Sequence, residues 1–436
     1  MSRAPEPTRT PRERVLICGV IFPDAPVEFE GELSEATALA KAANAVVVGE
    51  GVVQRRARPH PATLMGKGKV EEIMELVQRH DPDAVVVDND LTPAQMRNLE
   101  KAWCKRIIDR SELILDIFAR RAKTRQAKLQ VELAQNEYLA PRLRRMWTHL
   151  ERTEGAIGTR GPGETQLETD RRLLRKRITD LKGQLKEIEA RKRREVKSRA
   201  EQFTVGIVGY TNAGKSTLLN RLTKSDELVA DMPFATLDTR TRKWRMSDGR
   251  SVLLSDTVGF LQRLPHHLVA SFHATLEEAF NADLLLNVVD ASHPDAANHI
   301  RAVDRVLKSL SGHLPPEIVL FNKVDRVDDP ISLQLLVADD SKEVIYLSAH
   351  TGEGTDRLEQ AVWRYLDDRS KVVDILIPIS DGRTIARVRA HGAILEEDCG
   401  EEGTLRIRTR VSLPALGSLR REAGPGVDFR LLSPGS

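Results

Sequence analysis

The sequence predicts a multidomain α/β protein, and three observations predict it. Short apolar runs alternate with helical patterns over residues 14–118, as in a largely parallel sheet flanked by helices. A buried-strand pattern at 203–208 runs through a glycine loop into a helix. Beyond residue 372, strands are segregated from one or two helices, the signature of a small α+β unit.

The chain has 436 residues, room for about three domains of ordinary size. Its 67 basic and 64 acidic residues leave a net charge of +3, so charge informs only through its distribution. Cys18, Cys104 and Cys399 are far apart and odd in number, which fits a reducing compartment better than a disulfide or metal framework. No apolar run is long enough to span a membrane. Residues 1–13 carry three prolines and scattered charge with no hydrophobic segment, a flexible tail and not a secretory signal. A soluble, cytoplasmic protein is expected, and a monomer.

Within 14–118, residues 15–20, 45–48 and 84–87 read as buried strands, and 34–43, 70–80 and 93–103 as helices. The stretch Met65-Gly66-Lys67-Gly68-Lys69 precedes the second helix. It can serve a phosphate or RNA backbone at a helix N-terminus, but a short glycine-lysine loop is unspecific, and a solvated basic turn is the better reading.

From 119 to 200 the strand signal ceases and a helical hairpin is expected. Leu129, Leu133, Leu143, Met146 and Leu150 keep helical spacing, with Pro141 a point of interruption. Leu174, Ile178, Leu181, Leu185 and Ile188 step by four and three, a heptad seam that should pack antiparallel on the first arm. Between 171 and 199 lie 13 Lys or Arg against 4 acidic residues. Arg120, Arg121, Lys123, Arg125, Lys128, Arg142, Arg144 and Arg145 load the first arm in the same way. An excess on both arms favours an RNA phosphate track over a merely solvated surface. The connection, 155–166, holds four glycines and a proline within nine residues and is expected to be a loop at the hairpin tip. A flexible tether is the plainer alternative, but the seam would hold its ends and offer Arg160 to folded RNA.

The loop Gly209-Tyr210-Thr211-Asn212-Ala213-Gly214-Lys215-Ser216, followed by Thr217, is a P-loop. Its glycines let backbone N–H groups face phosphate, Lys215 can reach the β- and γ-phosphates, and Ser216 can ligate Mg²⁺. Downstream, Phe234-Ala235-Thr236-Leu237-Asp238 reads as a loop in which Thr236 offers a hydroxyl to Mg²⁺ and the γ-phosphate, ordering only with triphosphate bound. A strand then runs into Asp256-Thr257-Val258-Gly259, where Asp256 can hold Mg²⁺ through water and the Gly259 N–H can sense the γ-phosphate. In Asn322-Lys323-Val324-Asp325, the Asp325 carboxylate can accept from both guanine N1–H and the 2-amino group. Adenine would leave it unpaired. Asn322 can bond the base edge, the Lys323 stem can cover its face, and Ser348-Ala349-His350 supplies backbone donors to the guanine oxygen. Four elements in this order at strand ends specify GTP. The domain is expected over 203–369 as a P-loop G domain with a mixed sheet. In the small α+β domain at 372–436, strands at 372–379, 393–397 and 404–409 accompany helices at 384–391 and 413–422.

The chain resembles the HflX family of bacterial ribosome-associated GTPases. The resemblance rests on Gly158-x-x-Gly161-Pro162-Gly163-Glu164-x-Gln166, residues 209–216, 234–238, Asp256-Thr257-Val258-Gly259-Phe260, the stretch 264–270 and Asn322-Lys323-Val324-Asp325. It implies that the Gly-rich loop, including Gly158, Arg160, Gly161, Gly163 and Gln166, contacts RNA of the large ribosomal subunit. It also implies that GTP is used to split stalled or idle 70S ribosomes, notably under heat stress. Phe260 stands where many GTPases carry a water-orienting glutamine, so slow intrinsic hydrolysis stimulated by the ribosome is expected, with no side-chain base. His266 and His267 are expected to be structural. Asn212 resembles the asparagine that supports K⁺ in related GTPases. His350 replaces a frequent lysine and leaves the backbone donors in place. An RNA-remodelling or RNA-modifying enzyme with a second nucleotide site in the N-terminal domain, and a GTP-switched protein adaptor, stand as alternatives.

Overall fold

The computed structural model describes residues 12–23, 33–143, 162–198 (side chains of 168–191), 202–225, 233–234, 240–247, 249–257, 259–261, 282–310, 314–329, 333, 336–337, 342–368, 370–399 and 403–431. The expectations placed on Ala235, Thr236, Leu237, Asp238, Val258, Gly158, Arg160, Gly161, His266 and His267 lie outside these residues.

The N-terminal sheet is wholly parallel. β1 (Arg14–Ile21) pairs at one end with β2 (Val46–Val47) and at the other with β3 (Val52–Arg55). On its opposite side lie β4 (Ala84–Val87) and β5 (Arg106–Asp109). Alternate residues of these β-branched strands feed two cores, which is why they read as continuous apolar runs. Val15, Ile17, Ala84, Val86 and Ile108 face α1 (Ser34–Ala42) and α4 (Arg110–Arg121). Leu16, Cys18, Val85, Val87 and Ile107 face α2 (Lys67–His80) and α3 (Pro93–Trp103). The Thr92–Gln95 capping box and Pro93 in the first turn fix the start of α3. Burial pushes the Cys18 thiol far up, so it is an inert core group. The glycine-lysine stretch is not a free loop: α2 begins at Lys67, with Gly66 as its N-cap.

The hairpin arms are α5 (Arg125–Leu139) and α6 (Pro162–Ser198). They pack through Leu129, Leu133, Leu181 and Leu185, flanked by Ile178 and Ile188, so the seam forms without Leu174. Ion pairs join Arg177 to Glu132 and Lys182 to Glu137. Two expectations need correction. The loop expected over 155–166 ends before Pro162, because proline suits the first helical turn, where an N–H would be orphaned anyway; Gly163 and Gln166 are therefore helical backbone. Arg142, counted with the exposed basic track, turns inward onto Asp109.

The central domain has a six-stranded sheet in the order β11-β10-β9-β6-β8-β7. Its strands are β6 (Thr204–Gly209), β7 (Arg240–Arg245), β8 (Ser251–Asp256), β9 (Leu284–Asp290), β10 (Glu317–Asn322) and β11 (Glu343–Tyr346). Only β7 runs antiparallel, so the sheet is mixed as expected. Its helices include α7 (Lys215–Thr223), α8 (Ala296–Leu310) and α9 (Thr355–Asp368). The C-terminal domain is an antiparallel sheet, β13 (Gly392–Cys399), β14 (Thr404–Ser412), β12 (Ser370–Pro378) and β15 (Asp428–Leu431), carrying α10 (Gly382–His391) and α11 (Leu413–Glu422).

Candidate nucleotide site

The P-loop joins the end of β6 to the start of α7 at the C-terminal edge of the parallel strands, where α/β folds bind ligands. Its glycines are required by contact. Gly209 has φ +145° and a Cβ there would sit 2.2 Å from the Val288 carbonyl oxygen. Gly214 has φ +94° and its Cβ would sit 2.2 Å from Asn322 Nδ2. Lys215 is buried and donates to the carbonyls of Gly209 (3.1 Å) and Tyr210 (2.7 Å). Burial pulls its pKa down to about 8, against the opposing pull of Asp256.

Ser216 Oγ donates to Asp256 Oδ2 at 3.0 Å. Asp256 is buried at the end of β8, and Thr257 fixes the turn after it by donating to the Ile207 carbonyl at 2.8 Å. A hydroxyl and a carboxylate set side by side next to a phosphate loop are hard oxygen donors of the kind Mg²⁺ takes, so the residues fit that ion. Gly259 lies against the P-loop: a Cβ on it would stand 3.0 Å from Lys215 Nζ. The following residue is stitched down, Thr211 N donating to Phe260 O at 2.8 Å and Phe260 N to Gly209 O at 3.1 Å. The Phe260 ring points into the core beside Val208, Leu285, Val303 and Leu307.

On the base side, Asn322 Nδ2 donates to the Ala213 carbonyl at 2.8 Å, while its Oδ1 accepts from Ala349 N at 2.9 Å. Asn322 thus ties the P-loop to the Ser348-Ala349-His350 loop, a bracing role beyond the base contact expected of it. Lys323 adopts φ +65° and pairs with Asp290 at 2.6 Å. Val324 is buried behind it. Asp325 is exposed, and the Ser348 hydroxyl holds its carboxyl below the usual range, so it is ionised and presented outward. His350 is also exposed.

The structure therefore brings together Gly209, Thr211, Ala213, Gly214, Lys215, Ser216, Asp256, Thr257, Gly259 and Asn322. Two expected nucleotide residues spend their side chains elsewhere. Tyr210 is buried, stacked on His299 at 3.7 Å, with its hydroxyl donating to Glu35. The ring of Phe234 meets Phe118 edge-on at 4.5 Å. Glu35, Phe118 and His299 went unnoticed in the sequence, because nothing local marks a side chain that matters only through a contact far along the chain.

Three family profiles match successive parts of the chain: "GTP-binding GTPase N-terminal" over 30–119, "GTP-binding GTPase Middle Region" over 121–199 and "50S ribosome-binding GTPase" over 204–323. A protein named GTPase HflX from Alkalihalophilus pseudofirmus is 44% identical over 86% of this chain and 88% of its own. Its namesake from Escherichia coli is 43% identical over 86% of this chain and 88% of its own. Among solved structures, a GTP-binding protein from Sulfolobus solfataricus in complex with GDP aligns at a TM-score of 0.42 with 23% identity, covering 81% of this chain and 98% of that one.

Proposed function

We propose, from the premise that this chain belongs to the HflX family of ribosome-associated GTPases, that it binds the large ribosomal subunit when loaded with GTP and splits stalled or idle 70S ribosomes. Hydrolysis to GDP and phosphate then permits release. The observation that carries this reading is the joining of a guanine-nucleotide site to a cationic arm. Arg171–Arg177 and Lys182–Arg191 hold basic residues that are mostly exposed on α6, facing solvent and not the seam. Gly158, Arg160 and Gly161, which precede α6 in the sequence, with Gly163 and Gln166 in the first turns of α6, would meet ribosomal RNA, and phosphate neutralisation would supply the affinity.

Ser216, with Asp256 through water and Thr236 from the loop after Phe234, would hold Mg²⁺, which neutralises phosphate charge when bound. Asn212 would support K⁺, tested by comparing hydrolysis in KCl and NaCl. No side-chain base is invoked, since phosphoryl transfer draws mainly on positioning and charge stabilisation. The buried Phe260 ring cannot orient water, so turnover should be slow until the ribosome rearranges the site. Sedimentation of 70S ribosomes with the protein and a non-hydrolysable GTP analogue tests the reading. Conversion to 50S and 30S particles is expected, and intact 70S ribosomes at saturating protein would refute it. A second nucleotide site in the N-terminal domain is disfavoured because the arginines at its C-terminal sheet edge, Arg110 and Arg142, are already paired with Glu35, Asp88 and Asp109 and are not offered to a phosphate.

A further inference from the structure

Three segments of the nucleotide site rest on the N-terminal domain. Tyr210 from the P-loop, Phe234 from the start of the threonine loop and Leu261 from the stretch after Gly259 all join the core built by α1, α4 and α5. Apolar packing alone would hold these surfaces together, yet the contact also contains a buried ionic chain. Tyr210 donates to one oxygen of Glu35, and the other oxygen of Glu35 accepts from Arg110, whose second terminal nitrogen donates to Asp88. The Arg110 side chain is 2% exposed.

The chain continues through the residue preceding Arg110. Asp109 Oδ1 accepts from the Tyr138 hydroxyl at 3.0 Å, and its Oδ2 accepts from Arg142 Nη2 at 3.0 Å. Arg142 also donates to the carbonyls of Leu91 (2.8 Å) and Tyr138 (3.0 Å), and its guanidinium lies 3.6 Å from the Tyr138 ring centroid. Tyr138 lies in the last turn of α5 and Arg142 three residues past its end at Leu139; this is the root of the hairpin arm. A polar chain thus runs from the phosphate loop to that root across the C-terminal edge of the N-terminal sheet.

We propose that Glu35 is a positioning residue of the GTP site, acting through Tyr210, and that the Glu35–Arg110–Asp109 chain conveys nucleotide state to the root of the hairpin arm. The inference rests on the GTPase reading of the site but not on ribosome splitting. Its physical basis is the cost of partial disruption. Charges buried in this way are expensive to separate, so the chain favours an intact or a broken arrangement over intermediate ones. A phosphate loop that shifts around its ligand moves Tyr210, whose hydroxyl is one end of the chain. A purely structural role would stabilise the interface equally whichever nucleotide is bound.

The test uses the full-length protein and needs no ribosome. Amide hydrogen exchange of residues 133–143 is followed with GDP and with a non-hydrolysable GTP analogue, in the wild type, Tyr210→Phe and Glu35→Gln. Tyr210→Phe keeps the ring, its stacking and its burial, and removes only the donor. The wild type should show at least a fivefold difference in exchange between the two nucleotides, reduced below twofold in both variants. The ratio of analogue to GDP affinity should move about fivefold in each. An unchanged nucleotide dependence in Tyr210→Phe, or a wild type that saturates with both nucleotides and shows no difference, would overturn the proposal. A wild type that binds no guanine nucleotide would overturn the GTPase reading itself, and this inference with it.

Discussion

Raising the pH from 7 to 9 should weaken guanine-nucleotide binding about tenfold, through one buried amine. Lys215 is removed from water, and burial lowers its pKa to about 8 without nucleotide. The amine is then about nine-tenths charged at pH 7, half charged at pH 8 and about one-tenth charged at pH 9. Phosphate oxygens beside it favour the charged form, so binding raises its pKa and takes up a proton wherever the free amine is neutral. Affinity is therefore full below pH 7 and is lost as pH rises through 8, by about 1.4 kcal/mol for the tenfold change. Fluorescent GDP titrated at fixed ionic strength and Mg²⁺ gives the profile. Calorimetry at pH 8 in two buffers of different ionisation enthalpy gives the proton uptake, expected at about half a proton per nucleotide. A flat profile from pH 7 to 9, with no proton taken up at pH 8, would refute the argument that burial has weakened this lysine's hold on its charge.

Three further outcomes follow from the same geometry. Replacing Phe260 by Gln places an amide among Val208, Leu285, Val303 and Leu307. It should lower the melting temperature by about 10 °C, for a loss of about 3–5 kcal/mol, without raising turnover; faster hydrolysis at unchanged stability would contradict the buried placement. Asp325→Asn should weaken GDP binding by about 100-fold or more, since two charge-assisted bonds to guanine are lost, and should favour a xanthine nucleotide whose 2-carbonyl can accept from the new amide; competitive titration of the two bases reads this. Burial also pushes the Asp109 carboxyl up to about 6, despite donation from the Glu112 amide, Arg142 and Tyr138. Its proton is bound more tightly in the folded chain than in the unfolded one, so its contribution to stability is full below about pH 4 and falls by about 3 kcal/mol as pH rises through 6. Urea unfolding at pH 4.5 and 7 should reveal that slope as a difference between wild type and Asp109→Asn, and parallel pH dependences would dispose of it.

Elements with strong local signals were legible in the sequence. The Ala84–Val87 strand, the Pro93–Trp103 helix and the Leu413–Glu422 helix fall where apolar runs and caps place them. The P-loop and Asn322-Lys323-Val324-Asp325 were legible because phosphate and guanine chemistry demand particular residue types in order. Strands β3, β5, β7 and β15 were missed for a common reason: each is short, polar or at a sheet edge, and Arg240–Arg245 reads Arg-Thr-Arg-Lys-Trp-Arg, with Trp244 alone among its described side chains fully facing the core. Helix starts at Lys67 and Pro162 were placed too late because glycine and proline were taken as loop markers, although a first helical turn tolerates both. Neither the asparagine brace nor the Tyr210–Glu35 contact was within reach of local patterns: the first depends on how two loops of the central domain come together, the second on how one domain's sheet edge meets another's.

That meeting of edges has an electrostatic logic. The P-loop lies at the C-terminal edge of its sheet and reaches the C-terminal edge of the N-terminal sheet through Tyr210. The first edge is built for anions, with Lys215 and a helix N-terminus. The second presents carboxylates at Glu35, Asp88 and Asp109, whose field alone would oppose a bound triphosphate. Arg110 and Arg142 close that field locally by pairing with all three. The acidic edge can thus serve as a docking surface for the phosphate loop without repelling its ligand. It also follows that the contact is conditional on those two arginines, one beside the nucleotide domain and the other at the root of the arm. A nucleotide site and a hairpin arm that share a single buried charge balance are mechanically linked in a way that apolar packing, indifferent to charge, would not make them.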